Sequence, residues 1–290
     1  MLADRAKLIW LVTGLAFLVL TLVLPVPEGL TPKAWRMAGV AALMATWWIG
    51  EAIPLAGTAL VPLVLYPLLG ILPSGSAARE YGNHLIYLFL GGFLIAIAME
   101  RWNLHRRIAM RVLLLFGTEP KRLLIGFGFA VALLSMWISN TAATLMTLPV
   151  AMAVVRHLAS CAWVDGKRDE ASALAALGPV FMLTVAYAAN AGGMATLVGT
   201  PANIVMAGAV FELVDGTEVG FARWMVLGVP ASLALLALTL FVVPRSGPRL
   251  ERFDCGASAG TMIRDELESL GPMSDGEKRV LAVFVVTVLL

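Results

Sequence analysis

The chain has 290 residues, 60% of them hydrophobic and only 14% charged, with a mean hydropathy of +0.87. A soluble domain carries about 25% charged residues, so the composition argues against one. The net charge of +2 gives no electrostatic basis for binding nucleic acid.

Apolar runs near the roughly 20 residues that cross a bilayer recur along the chain, and they predict an all-α polytopic membrane protein. The first run, Leu8–Leu24, follows Arg5 and Lys7. It is long for a signal sequence, and "PVPEG" follows it where a small-residue cleavage site would stand, so it reads as a retained span. A second span is expected over Arg36–Gly50. "EAIP" then interrupts the apolar run, because proline lacks a backbone donor and disfavours helix before it. Glu51 in that break reads as an inner-face turn residue. A third span is expected over Leu55–Leu72, then a polar loop, "PSGSAAREYGN", then a fourth span over His84–Glu100. Ile108–Phe116, flanked by basic residues, reads as an amphipathic piece lying at the interface. Residues 1–122 thus form a first block of four spans and an interfacial helix.

Residues 123–155 contain no Asp, Glu, Lys, Arg or His. One helix over that stretch would reach about 50 Å, against a hydrocarbon core of about 30 Å. "SMWISNTAATLMTLPVA" places Ser139, Asn140 and Thr141 near its middle. Two half-helices meeting at a polar tip fit better than one long span. Residues 156–170 read as a cytoplasmic loop. Residues 171–211 are again charge-free, and "NAGGMATLVGTPAN" interrupts them, which predicts a broken helix. A further span is expected over residues 221–243, a partly helical polar linker over 244–277, and a cut-off span over 278–290. Its apolar run, Val280–Leu290, is too short to cross as a helix; the chain is expected to be the first part of a longer protein.

Charge placement tests this layout through the positive-inside rule. With the N-terminus inside and residues 123–155 entering and leaving on the inner side, Lys33, Arg36, Arg79 and Arg223 alone fall outside, of 21 lysines and arginines. If residues 123–155 crossed fully, the basic loop at 156–168 and the Arg-rich linker would move outside. With a cytoplasmic N-terminus, charge therefore favours a re-entrant hairpin; a cell (inner) membrane location is expected. Cys161 and Cys255 fall in segments placed in the cytoplasm, where a disulfide is not expected. His84, His105 and His157 are scattered.

Irregular backbone at membrane depth survives only where protein or a water-filled cavity satisfies it. The two interruptions offer carbonyls at one half-helix end, suited to a small hard cation, and amide hydrogens at the other, suited to an anion. Ser, Asn and Thr add neutral oxygen ligands. Neither segment has the intramembrane carboxylate or histidine that proton-coupled carriers often use, nor a cation to hold an anion. A bound sodium ion would supply that positive charge. Against this, Ser and Thr in membrane helices often only bond back to a carbonyl, and small residues often only allow close packing.

"EAIPLAGTALVPLVLYPLLGIL", "LFLGGFLIAIAMERWNLHRRIA", "SMWISNTAATLMTLPVA" and "GGMATLVGTPAN" resemble, in that order, the divalent anion:sodium symporter family of sodium-coupled dicarboxylate, citrate and sulfate transporters. The resemblance covers nearly the whole chain from about Trp35. It implies the first part of an inverted-repeat, elevator-type transporter, with a re-entrant hairpin and a broken helix moving against a scaffold, and a homodimer when full length. It implies a sodium site at Ser135, Ser139, Asn140 and the carbonyl of Gly199. It implies substrate contacts from Asn140 and Thr141, with Thr200 and Pro201 on the opposite wall. Ile108–Phe116 and the 244–277 linker would be connecting arms. The family's second hairpin and second sodium site are not in this chain. The expected activity is therefore transport rather than catalysis: sodium-coupled uptake of a small divalent anion, with sodium as the coupling ion. Sodium-independent exchange or efflux, and a truncated product inactive alone, stand as alternatives.

Overall fold

The computed structural model describes residues 2–289 apart from 118, 161–162, 165–166, 169, 215, 249 and 254–257. Cys161 and Cys255, and so the reading of them as unpaired, lie outside the described residues. The chain divides into two compact units, Met1–Ile86 and Tyr87–Leu290.

In the first unit, α1 (Leu2–Val23) and α2 (Pro32–Gly50) form a helical hairpin. Gly39 lies on Thr21, and Gly50 lies on the indole of Trp10, so the two helices run antiparallel. The Trp47 indole fits against Gly14, and its Nε1 donates to the Leu11 carbonyl at 3.1 Å. Small residues under aromatic rings let two apolar helices approach closely without a hydrophobic driving force between them. Thr31 caps α2, accepting from the Ala34 amide at 3.2 Å, and Glu51 closes it in a left-handed conformation. The expected third span is two short helices, α3 (Leu55–Ala59) and α4 (Val61–Leu68), parted at Leu60 just before Pro62. The expected polar loop after it contains a helix, α5 (Ser74–Tyr81). Its Tyr81 hydroxyl donates to the Ala59 carbonyl at 2.7 Å, a tertiary tie with no local sequence signal. Leu18, Val40, Leu43 and Ile71 form this unit's buried core.

Helix α6 (His84–Arg101) leads into the second unit. There follow α7 (Leu104–Phe116), α8 (Pro120–Ser135), α9 (Asn140–Ser160), a two-residue antiparallel pair β1 (Trp163–Val164) and β2 (Lys167–Arg168), α10 (Glu170–Gly193), α11 (Pro201–Leu213) and α12 (Phe221–Val242). Two 3-10 turns, α13 (Ser258–Ser269) and α14 (Asp275–Leu289) complete it. Helix α10 is its centre and packs on α8, α9 and α12. Leu177, Phe181, Val185, Ala188 and Ala189 of α10 are fully buried and join Phe127, Val131 and Val154 in one core. Gly192 in its last turn brings the backbone of Ala132 in α8 close. Among the described residues, five stretches are long and apolar enough to span a membrane. Two of them, Asn140–Ser160 and Glu170–Gly193, adjoin the two helix breaks. At 21 residues, α9 is about 31 Å long, longer than the half-helix the sequence predicts.

A second cluster joins α7 to the α13–α14 turn. Arg107 is 5% exposed and Glu277 4% exposed. Arg107 Nε donates to Glu277 Oε1 at 2.6 Å and Nη2 to Oε2 at 3.3 Å. The guanidinium also reaches the carbonyls of Gly271 (2.9 Å) and Leu270 (3.2 Å). Ser274 and Glu277 form a reciprocal capping box at the start of α14, with bonds of 2.8 and 3.2 Å. The Arg107 side-chain bond holds the Glu277 carboxyl below the usual carboxylate range against the opposing effect of burial. Trp102 lies flat on Gly276, where a Cβ would meet the ring at 2.2 Å. Asn103, in the left-handed region, turns the corner between α6 and α7.

Candidate ion and anion site

Helix α8 ends at Ser135, and the chain turns tightly through 136–139. The amides of Trp137 and Ile138 both donate to the Leu134 carbonyl, at 3.0 and 3.1 Å. Ser139 then acts as N-cap of α9, its Oγ accepting from the Ala142 amide at 3.2 Å. This places Asn140 in the first turn of α9, facing back toward α8. Ser135 is fully buried, and its Oγ donates to Asn140 Oδ1 at 2.8 Å. Asn140 Nδ2 donates to Asn190 Oδ1 at 3.0 Å, one turn before the end of α10.

The end of α10 is shaped to receive that amide. A Cβ on Gly193 would lie 2.1 Å from Asn140 Oδ1 and 3.0 Å from Nδ2. Only a glycine lets the amide rest there. Gly199 in turn packs on Gly193, where a Cβ would stand 2.4 Å from the Gly193 carbonyl oxygen. Thr196, fully buried between them, donates to the Met136 carbonyl and accepts from the Gly199 amide at 3.2 Å. Asn203 of α11 donates back to the carbonyls of Gly193 and Thr196, at 2.8 and 2.7 Å. The two interruptions are thereby tied together, and the carbonyls left by the helix break have protein partners. Thr200, extended, is the N-cap residue of α11, its side chain making no cap bond, and Pro201 takes the first helical position.

Two helix C-termini, at Ser135 and Gly193, thus meet two N-termini, at Asn140 and Pro201. The C-termini carry partial negative charge and the N-termini partial positive charge. With no formal charge in either segment, these dipoles and the Ser and Asn side chains supply the local field. Hydroxyl, amide and carbonyl oxygens are donors of the type that suits a hard cation. Amide hydrogens at the helix N-termini suit an anion.

Of the residues named from the sequence, Ser135 and Asn140 are hydrogen-bonded, and Gly199 joins them through Gly193. Ser139 sits beside them, with part of its acceptor capacity used in capping. Thr141 and Pro201 are exposed and Thr200 is half-buried; no side-chain hydrogen bond ties Thr141 to Thr200 among the described residues. Asn190, Gly193, Thr196 and Asn203 were not singled out from the sequence. All lie inside the Gly-rich interruption, and the three-residue spacing of Asn190 and Gly193 on a helix, which puts both on one face, was the available signal. Beside the tip is an open cavity of about 680 Å³, lined by Gly91, Ile95, Trp137, Val198, Phe221 and Phe284 among others. Its wall is mostly apolar and includes none of the site residues above.

Residues 5–290 match the family described as the sodium:sulfate symporter transmembrane region. The chain is 38% identical over 284 residues to the sodium-dependent dicarboxylate transporter SdcS of Staphylococcus saprophyticus, covering 97% of this chain and 53% of that protein. It is 37% identical over 288 residues to SdcS of Staphylococcus aureus strain USA300, covering 99% of this chain and 54% of that protein. The chain spans about half the length of the curated relatives it matches. With the family match running almost end to end, the chain belongs to the sodium:sulfate symporter family, the divalent anion:sodium symporters.

Proposed function

We propose that this chain supplies one half of the binding site of a secondary transporter that couples inward sodium movement to uptake of a divalent anion. A dicarboxylate is the favoured substrate class, by similarity to the two sodium-dependent dicarboxylate transporters. The observation that carries the proposal is the contact of Ser135, Asn140 and Gly193 where four helix ends meet without a charged side chain. Sodium takes the Ser135, Ser139 and Asn140 side-chain oxygens and the Gly199 carbonyl. The anion takes Asn140 and Thr141 at the start of α9 and Thr200 and Pro201 at the start of α11. Sodium binds first, because without it the site offers a dianion only neutral groups; citrate or sulfate would meet the same ligands.

In this reading α8 and α9 form a re-entrant hairpin opening to the cytoplasm, the N-terminus is cytoplasmic, and the membrane is the cell (inner) membrane. The hairpin and the broken helix travel together as an elevator against a dimeric scaffold. The placement of lysine and arginine supports this orientation. The test is Asn140→Ala in the full reading frame that encodes this chain, reconstituted in proteoliposomes. Sodium-driven uptake of a four-carbon dicarboxylate is expected to be lost; unchanged uptake with an unchanged sodium half-saturation overturns the proposal.

A further inference from the structure

The Asn140 amide is held between two groups that can each donate or accept: the Ser135 hydroxyl on one side and the Asn190 amide on the other. Such a chain of hydrogen bonds satisfies itself in either direction. In the direction present, Ser135 donates to Asn140 and Asn140 donates to Asn190, so the Asn140 oxygen faces Ser135. In the reverse direction the Asn140 NH2 group faces Ser135, and the two oxygens that would share a cation are replaced by one oxygen and a donor. Packing does little to choose between them. The amide rests on the bare Cα of Gly193, and its two ends are nearly the same size. The choice falls to the partner at the far end. Asn190 makes that choice by presenting its oxygen, which accepts from Asn140 Nδ2.

We infer that Asn190 is a positioning residue for the coupling ion. By accepting from Asn140 Nδ2 it turns the Asn140 oxygen toward Ser135, and so sets sodium affinity without touching the ion. This rests on the reading of Ser135 and Asn140 as a sodium site. Sodium selects the direction with both oxygens on its side, and the Asn190 oxygen, by accepting from Asn140 Nδ2, favours that same direction. Losing the acceptor at 190 gives up one hydrogen bond of the ion-competent arrangement, worth about five- to tenfold in sodium affinity.

The test compares Asn190→Leu, Asn190→Asp and Asn140→Ala in the full reading frame, reconstituted in proteoliposomes, with succinate as the transported probe. Sodium half-saturation is read at saturating succinate, and succinate KM at saturating sodium. Asn190→Leu is expected to raise sodium half-saturation five- to tenfold while succinate KM moves less than twofold. Asn190→Asp accepts only, so it holds Asn140 in the ion-competent direction. It is expected to keep sodium half-saturation at or below the parent value and to raise succinate KM by repulsion. A sodium half-saturation within twofold of the parent in Asn190→Leu, or a raised one in Asn190→Asp, overturns the inference. If Asn190→Leu does not fold, the aspartate variant decides alone. If Asn140→Ala also leaves sodium dependence unchanged, the ion-site reading itself falls and takes this inference with it.

Discussion

Replacing Arg107 by methionine keeps most of the side-chain volume and removes the guanidinium that holds Glu277 and the carbonyls of Leu270 and Gly271. Breaking a buried ion pair by deleting one partner costs about 3–5 kcal/mol. Glu277 would keep its bond from the Ser274 amide at 2.8 Å, and it stands in the first turn of α14, where the helix dipole favours an anion by about 0.3–1 kcal/mol. It can also take up a proton. The expected cost of Arg107→Met at pH 7 is therefore about 2–3 kcal/mol. Glu277→Leu leaves a buried guanidinium that cannot lose its charge, so its cost stays near the full 3–5 kcal/mol. The double variant, apolar on both sides, gives up the cap and carbonyl bonds but strands no charge, and should cost only about 1–2 kcal/mol. At about 2 °C per kcal/mol for a chain of this size, the single variants fall about 4–10 °C in thermal midpoint, compared in detergent at one fixed heating rate. The pH dependence has a definite sign. In the parent the Glu277 pKa is lowered, so its contribution is complete above the ordinary carboxylate value of about 4.3 and is lost only as pH falls through its lower folded value. In Arg107→Met, burial without a partner raises that pKa. Lowering the pH from 7 to 5 should then narrow the gap between variant and parent. A double variant that costs the sum of the singles, or Glu277→Leu costing less than Arg107→Met, would refute the argument.

Gly192→Ala places a Cβ 2.1 Å from the Ala132 carbonyl oxygen and 2.5 Å from its Cα. Backbone cannot swing aside, so a loss of about 3 kcal/mol or more is expected, read as a fall in thermal midpoint and in folded yield. Gly178→Ala in the same helix, with open space around it, should be neutral or stabilising by up to about 1 kcal/mol; equal damage from both would refute the packing account. Thr184 is 0% exposed and its hydroxyl has no hydrogen-bond partner among the described residues. Thr184→Val keeps the shape, removes a desolvated hydroxyl, and should stabilise by about 1 kcal/mol in the same assay; a destabilised variant would show that the hydroxyl has a partner of its own.

The predominantly helical, apolar architecture was legible because hydropathy and span length act over 20 residues at once. The interruption around Gly192 and Gly193 was legible for a related reason: a charge-free segment of that length cannot be one span. What was illegible depends on single distant partners. Arg107 and Glu277 are 170 residues apart, and nothing near either announces the other. Helix α5 was missed because Ser74–Tyr81 is polar and short, its order coming partly from the Tyr81 bond to Ala59. Leu60 splits the expected third span because Pro62 follows inside a run whose hydropathy never falls. At the site, the Ser-Asn-Thr triplet drew attention by its polarity in an apolar run. Gly193 and Asn190 did not, because their importance lies in where the Asn140 side chain lands, which composition does not record.

The Thr196 and Asn203 bonds have a mechanical consequence. Thr196 fastens the α10–α11 break to the Met136 carbonyl, and Asn203 fastens α11 back across the same break. Irregular backbone is ordinarily where a chain bends, yet here each gap is bolted to the other. Force applied to α9 passes into α11 through side chains rather than through the intervening loop. The place where the helices are discontinuous is thus cross-braced by side chains rather than left as open backbone.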